Sequence, residues 1–399
     1  MDKMKLQEAY IVAALRTPVC KAGTVFAETR PDDLLAHVLK AVMNQVGQIS
    51  PEQIDEVIVG CAMPEAQQGM NVARISTLLA GLPDSVPAMT INRFCASGLE
   101  AIALSANRIQ LGEADIILAA GVESMSMVPM GGFHFSANPR FFSEEGMEPI
   151  AYGMGVTAEK VASKWGIGRD QQDAFALESH VRASKAIEQG RFQAEVAPIT
   201  VRETLFDIQS RKRIQEFKLI AQDHGPRRDT SLEVLSKLRP VFHAKGTVTA
   251  GNSSQRSDGA AAILLVSEKV LAQYDLHPLA RFMGYSVAGV APEYMGIGPV
   301  AAIPKILSRL KLNLQQIQWI ELNEAFAAQS LAVMKDLSLD PAIVNPVGSA
   351  IALGHPLGAT GAIRTATLIH GMRQHHLKYG MVTMCIGTGM GAAGIFEIL

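Results

Sequence analysis

The stretch WIELNEAFAAQSLAVMKDL, Trp319 to Leu337, decides how this chain is built. Its first four residues form a short β-rich run, Asn323-Glu324 makes a polar turn, and Ala325 to Leu337 carries the apolar spacing of a helix. The same order of textures occurs upstream, where Glu56 to Val59 reads as a strand that passes through Gly60 and a polar turn into a helix over Asn71 to Ala80. A second pair repeats the idea. Cys95 begins a long amphipathic helix followed by the apolar run Ala114 to Ala120, and Gly358 to Met372 reads as a helix followed by a strand at Met381 to Cys385. Further strands are expected at Ala9 to Ala13, Ile116 to Ala120 and Ala261 to Val266. Strands that alternate with helices predict α/β layers, and the two repeated pairs predict two related halves. From about Met125 to Lys245 the texture changes to Met, Gly and Pro clusters, a helical stretch over Ala158 to Gln189, and the charged run Arg211-Lys212-Arg213. That segment reads as a domain inserted over the sheet core, with the charge run as a solvated face.

Composition narrows the function. At 399 residues, 48% hydrophobic and 19% charged, the chain can bury a large core divided among two or three domains. The formal net charge of -2 gives neither the basic surface that nucleic acid needs nor an acidic solvating tail. No run approaches the roughly 18 uncharged apolar residues of a membrane span, and the opening MDKMKLQEAY lacks a signal peptide's apolar region. The terminal Phe396-Glu397-Ile398-Leu399 is not a peroxisomal address, so a cytoplasmic setting is expected. The four cysteines, Cys20, Cys61, Cys95 and Cys385, are scattered with no C-x-x-C pair and no matching histidine spacing. This argues against zinc and against a disulfide framework. Cys20 and Cys61 read as small buried hydrophobes.

Four blocks can carry chemistry. In Asn92-Arg93-Phe94-Cys95-Ala96-Ser97-Gly98 the cysteine stands at a helix N-terminus, where unpaired N–H groups and the macrodipole favour a thiolate; a buried structural cysteine at a strand-to-helix junction has the same pattern. Gly348 to Gly361 holds His355 in a loop of small residues through which a ligand can approach the imidazole. Cys385-Ile386-Gly387-Thr388-Gly389-Met390-Gly391 puts a thiol at the end of what reads as the final long strand, beside N–H groups able to face an oxyanion. The formal G-x-G-x-x-G from Gly389 to Gly394 is no dinucleotide site, because no room remains for the helix and second strand that motif requires. Asn323 has the type and place of a helix N-cap, and its amide could equally hold a water in an active site.

Together these blocks closely resemble the thiolase family, in particular its degradative branch. The resemblance runs along essentially the whole chain and includes Arg16-Thr17-Pro18, Gly121-Val122-Glu123-Ser124-Met125-Ser126, and Gly251 to Ala260. It implies a thiolase fold: two βαβαβαββ halves stacked in five αβαβα layers, with residues 1–124 and 246–274 as the first half, 125–245 as the inserted loop domain and 275–399 as the second half. It implies that Cys95 attacks a 3-ketoacyl-CoA, that Cys385 serves as acid and then base, and that His355 with a water held by Asn323 forms one oxyanion hole. The N–H groups of Cys95 and Gly387 would form another, and a lost donor of that kind costs about 3–4 kcal/mol in a barrier. Ser254 would meet the pantetheine arm of CoA and Arg227 its nucleotide. CoA is a substrate here, so neither a metal nor a cofactor is expected; the substrates are CoA with 3-ketoacyl-CoA or acetyl-CoA. A homodimer or homotetramer is implied, with a β-oxidation hydratase/dehydrogenase as a further partner. Where the family usually has glycine this chain has Thr388, Ser349 and Cys20. Thr388 is the one nearest the second hole, and a β-branched residue disfavours positive φ. Gly153-Met154-Gly155 replaces the His-Met-Gly usual in short-chain biosynthetic relatives, which favours β-oxidation substrates. The rival readings are a biosynthetic acetoacetyl-CoA thiolase, a non-catalytic acyl-CoA- or lipid-binding relative, and a decarboxylating ketoacyl synthase, against which the second cysteine speaks.

Overall fold

The computed structural model describes residues 6–207 and 211–399. Twelve strands are numbered in chain order: β1 (Ala9–Arg16), β2 (Cys20–Lys21), β3 (Glu56–Gly60), β4 (Ala88–Ile91), β5 (Ile116–Ser124), β6 (Ile199–Asp207), β7 (Lys212–Ile220), β8 (Ser257–Ser267), β9 (Ala280–Gly289), β10 (Trp319–Leu322), β11 (Tyr379–Ile386) and β12 (Met390–Ile398). In the first half the order across the sheet is β4-β3-β5-β8-β1, and in the second it is β10-β11-β12-β9. These orders correspond strand for strand once β4 is set aside. In each half a parallel pair, β3 with β5 or β10 with β11, is followed by antiparallel neighbours. The halves join edge to edge where β1 meets β9, through Tyr10 with Arg281 and Ile11 with Ala280 and the Leu279 N–H donating to the Ile11 carbonyl (2.7 Å).

Burial on both faces explains why β5 and β8 read as continuous apolar runs rather than alternating ones, since every residue of both is buried. One face of the first sheet packs on helix Pro31–Gln45 through Val12, Leu35, Leu39, Val59, Leu118 and Leu264. Its other face and the inner face of the second sheet share a middle layer made of helices Ser97–Gln110 and Thr360–Gln374, with Ile58, Leu99, Ile117, Ile263, Ile369, Val382 and Phe396 in one cluster. The second sheet's outer face carries helix Gly298–Leu310 through Ile303, Ile306, Leu322, Met381 and Ile395. The five expected layers follow directly.

The two middle helices are almost in backbone contact. A Cβ on Gly98 would meet the Ala362 nitrogen at 2.7 Å and the Gly358 oxygen at 2.9 Å, so only glycine lets the helices cross this closely. Each helix is preceded by a chemistry-bearing block, and the crossing brings Cys95 and His355 to one end of the layer.

Several sequence expectations change. The strand ending at Cys385 is not the last one: Met390–Ile398 turns back and pairs antiparallel with both β11 and β9, so the glycines from Gly389 to Gly394 serve a tight reversal and a flat, crowded strand. The helical stretch Ala158 to Gln189 is two helices, Met154–Trp165 and Arg169–Glu188, broken where Gly166 adopts φ +64°. The charged run lies exposed where a turn residue, Arg211, leads into β7, in a two-stranded arm with β6 that the sequence reading missed.

Candidate active site

The strand β4 leads into a 3-10 turn over Phe94–Ala96 and then into helix Ser97–Gln110, so Cys95 stands where a strand gives way to a helix. The turn is sharp: Phe94 has φ +44°, a region that costs a non-glycine residue roughly 1–2 kcal/mol. Local hydrogen bonds hold it. The Phe94 N–H donates to Asn92 Oδ1 (2.8 Å), the Arg93 N–H donates to Ser97 Oγ (2.8 Å), and that hydroxyl donates to the Phe94 carbonyl (2.6 Å). Cys95 keeps a partly accessible face on a cavity, while Cys20, Cys61 and Cys385 are buried.

Burial pushes the Cys95 thiol up to about 12, and the N–H groups of Gly387 and of Cys95 itself pull in the other direction. The expectation of a stabilised thiolate is therefore corrected: burial keeps Cys95 a neutral thiol. The helix terminus does present donors to sulfur, but loss of water outweighs them. Cys385 lies at the end of β11, paired with Gly391, and its thiol is likewise pushed up, first by burial and then by the facing Cys95.

His355 is held between Gly354 (φ +97°) and Pro356. Its Nδ1 lies 2.6 Å from Thr360 Oγ1, and its Nε2 lies 3.4 Å from the Asn323 side-chain nitrogen. With Nδ1–H donating to Thr360 Oγ1, the lone pair of Nε2 is left as the basic site of the ring. Asn323 Nδ2 faces that lone pair, and Asn323 Oδ1 has no partner among the described residues. Burial, helped by the nearby Arg364, holds the imidazole down at about 3, so it is neutral at ordinary pH.

Asn323 is not an N-cap. Helix Ala327–Leu337 begins four residues later with Phe326 in the cap position, while Asn323 continues β10 by donating its N–H to the Thr383 carbonyl (2.9 Å). Glu324 fixes the block from below, since its carboxylate accepts from Ser179 Oγ (2.6 Å), Asn345 Nδ2 (2.9 Å) and the Ile351 N–H (3.2 Å). Glu123 does the same for the opposite wall, accepting from the N–H groups of Ala62 (2.8 Å) and Gly358 (2.8 Å) and from Gln68 Nε2 (2.7 Å).

Cys95, His355, Cys385 and Ser254 line one cavity of about 520 Å³, together with Met125, Met130, Met154, Met295, Phe242 and Phe326. Gly387 presents its N–H to the Cys95 sulfur, and Asn323 stands behind His355. Arg227 is not brought into this cavity; it is exposed in a separate cleft with His180, Lys185 and Arg228. Sequence reasoning missed Thr360, whose signal was its place at the head of a helix five residues past a loop histidine, and left Glu123 without a role although it lies in the stretch Gly121 to Ser126 that carries the family resemblance.

Fold and site together define a layered α/β enzyme of the thiolase type. The chain matches the thiolase N-terminal domain over residues 9–269 and the thiolase C-terminal domain over residues 276–398, and it belongs to the thiolase family. It is 49% identical to the 3-ketoacyl-CoA thiolase of Bacillus subtilis (strain 168) over 98% of this chain and 100% of that one. It is 43% identical to a beta-ketoadipyl-CoA thiolase of Acinetobacter baylyi over 98% of this chain and 100% of the relative. Among solved structures it resembles the Bacillus anthracis acetyl-CoA acetyltransferase with a TM-score of 0.89 and 39% identity, each chain covered over its full length.

Proposed function

We propose that this enzyme cleaves 3-ketoacyl-CoA with CoA, releasing acetyl-CoA and a shortened acyl-CoA. The observation that carries the reading is the pair of facing thiols, Cys95 and Cys385, in one apolar cavity with the Gly387 N–H aimed at the Cys95 sulfur. Cys95 gives its proton to neutral His355 as its sulfur attacks the C3 carbonyl, because a buried thiol is a poor thiolate until a substrate dipole and an adjacent base arrive together. The tetrahedral alkoxide collapses by breaking the C2–C3 bond, and the electron pair passes to C2 as the enolate of acetyl-CoA. Cys385, whose raised pKa keeps it protonated until a carbanion forms, supplies the proton to C2. Its thiolate then takes the proton of incoming CoA, whose sulfur displaces Cys95 from the acyl group, and His355 returns the first proton. His355 and an Asn323-held water would stabilise the enolate oxygen, and the N–H groups of Cys95 and Gly387 the oxyanion of the second displacement.

Ser254, whose backbone is tied to the Ala325 carbonyl (3.0 Å), would meet the pantetheine arm, and Arg227 the nucleotide outside the cavity. Four methionines around the cavity make an adaptable acyl wall, which favours chains longer than acetoacetyl. A β-oxidation role, a cytoplasmic setting and a homodimer or homotetramer complete the proposal.

The test is CoA-dependent loss of the 3-ketoacyl-CoA enolate absorbance with acetoacetyl-CoA and with a long-chain substrate. Efficient cleavage of the long substrate, abolished in Cys95→Ala, is expected. Turnover of acetoacetyl-CoA alone would make this a short-chain enzyme, and turnover of neither would overturn the reading.

A further inference from the structure

Arg256 stands out among the residues that line the catalytic cavity. It is the one formally charged side chain there among the described residues, no carboxylate shares the lining, and its guanidinium is exposed with neither an ion pair nor a hydrogen bond. Its backbone, by contrast, is fixed. Arg256 pairs in parallel with His355, its carbonyl accepts the Ala22 N–H (2.8 Å), and Ser253, three residues earlier, pairs with Phe326. The preceding side chain is committed elsewhere, since Gln255 Nε2 donates to the carbonyls of Gly225 (2.9 Å), Ile351 (3.2 Å) and Ala352 (3.1 Å). The nearest acid in sequence, Asp258, is buried and accepts from the N–H of Ser126 (2.8 Å) and from its hydroxyl. Thus a backbone bridged to that of the catalytic histidine carries an unspent cation at the cavity wall.

A guanidinium on an apolar wall calls for an anion, and a carboxylate matches its fork with two parallel hydrogen bonds. Two anions could reach an acyl-CoA site: the phosphates of CoA and a carboxylate on the acyl chain. The phosphates sit at the far end of an extended pantetheine arm, roughly 15 Å from the sulfur by chain-length reckoning. Arg256, paired directly with His355, is placed close to the thioester instead. We infer that Arg256 selects 3-ketoacyl-CoA substrates whose acyl chain ends in a carboxylate. This rests on the thiolytic reading of the site and assigns it a substrate class.

The experiment compares 3-ketohexanoyl-CoA with its ω-carboxylated counterpart of equal chain length, in the wild-type enzyme and in Arg256→Gln and Arg256→Lys. Wild type is expected to favour the carboxylated substrate in kcat/KM. Arg256→Gln should lose on the order of tenfold or more on that substrate and less than threefold on the neutral one, with Arg256→Lys intermediate because it keeps the charge but not the fork. Equal losses on both substrates would assign Arg256 to the CoA phosphates and overturn the inference, as would an absence of wild-type preference. Cleavage of the neutral substrate is the separate check on thiolysis itself. Were the enzyme inactive on both, calorimetric affinities for hexanoyl-CoA and its ω-carboxylated analogue would still decide: tighter binding of the latter that vanishes in Arg256→Gln upholds the inference, and equal binding ends it.

Discussion

Thr388 shows how much a single side chain can be made to bear. It adopts φ +65° between Gly387 and Gly389, directly after the N–H that faces the Cys95 sulfur, although a β-branched residue is poorly suited to left-handed backbone. Its hydroxyl, donating to the Gly387 carbonyl (2.5 Å), is a local compensation that leaves the backbone where it is. The chain therefore accepts strain here to keep the turn between β11 and β12 in shape. Thr388→Gly should relieve it and raise stability by about 1 kcal/mol, the left-handed penalty less the extra freedom glycine has when unfolded. Urea denaturation measures this. A loss of stability would mean that the hydroxyl bond or the side chain's packing matters more than the φ angle. The position was legible from sequence as one where a glycine was expected; its conformation was not, because only the closed β11–β12 reversal fixes it.

At the scale of elements, the decisive feature is the crossing of helices Ser97–Gln110 and Thr360–Gln374, and Gly98 is its narrowest point. A methyl group there collides with backbone atoms of Ala362 and Gly358, which cannot rotate away as a flexible side chain would. Gly98→Ala should cost roughly 1–3 kcal/mol through overpacking. It should also lower kcat on the order of a hundredfold, because Cys95 and His355 sit at the heads of the two helices being pushed apart. Gly47→Ala, where the added carbon has only the Asn44 carbonyl at 4.0 Å for company, is the control and should leave kcat alone. Unchanged kcat in Gly98→Ala would show that the loops, not the helices, set the spacing of the two residues. The repeated strand and helix pairs made the two halves legible in the sequence, and Trp319–Leu322 has the bounds expected of it. What stayed hidden were elements whose signal is tertiary. β4 has only partly buried residues, the β6–β7 arm is largely exposed, and β12 is so rich in glycine and alanine that it resembles a loop until its partners β11 and β9 are in place. The site followed the same rule: Cys95, His355, Cys385 and Ser254 converge on one cavity, whereas the neutral state of Cys95 depends on desolvation that no local motif encodes.

For the molecule as a whole, the buried titratable groups set opposing responses to pH. His355 and His180 are held down, at about 3 and about 4, by burial. Between those values and 6.5 the unfolded chain binds protons that the folded chain does not, so both histidines withdraw stability as pH falls below 6.5. Glu321 behaves in the opposite sense. Burial raises it to about 7 despite Arg364 3.7 Å away, so between 4.5 and 7 the folded chain binds the extra proton, and the stability this group contributes at acid pH is lost as pH rises through 7. One raised carboxyl cancels only one of the two histidines across pH 5 to 6.5, so on these three groups the wild-type protein should still gain stability as pH rises there, about half as steeply as the histidines alone would dictate. Glu321→Gln removes one side of the balance while leaving an amide oxygen to accept from Trp319 Nε1, which now donates to Glu321 Oε1 at 2.7 Å. The variant should gain stability more steeply than wild type as pH rises from 5 to 6.5, by up to about 1.4 kcal/mol per pH unit for the one proton removed. Thermal melts or urea titrations at half-unit intervals would record it. Parallel profiles for the two proteins would mean that Glu321 is ionised in the folded state throughout this range, with Arg364 rather than desolvation governing the pair.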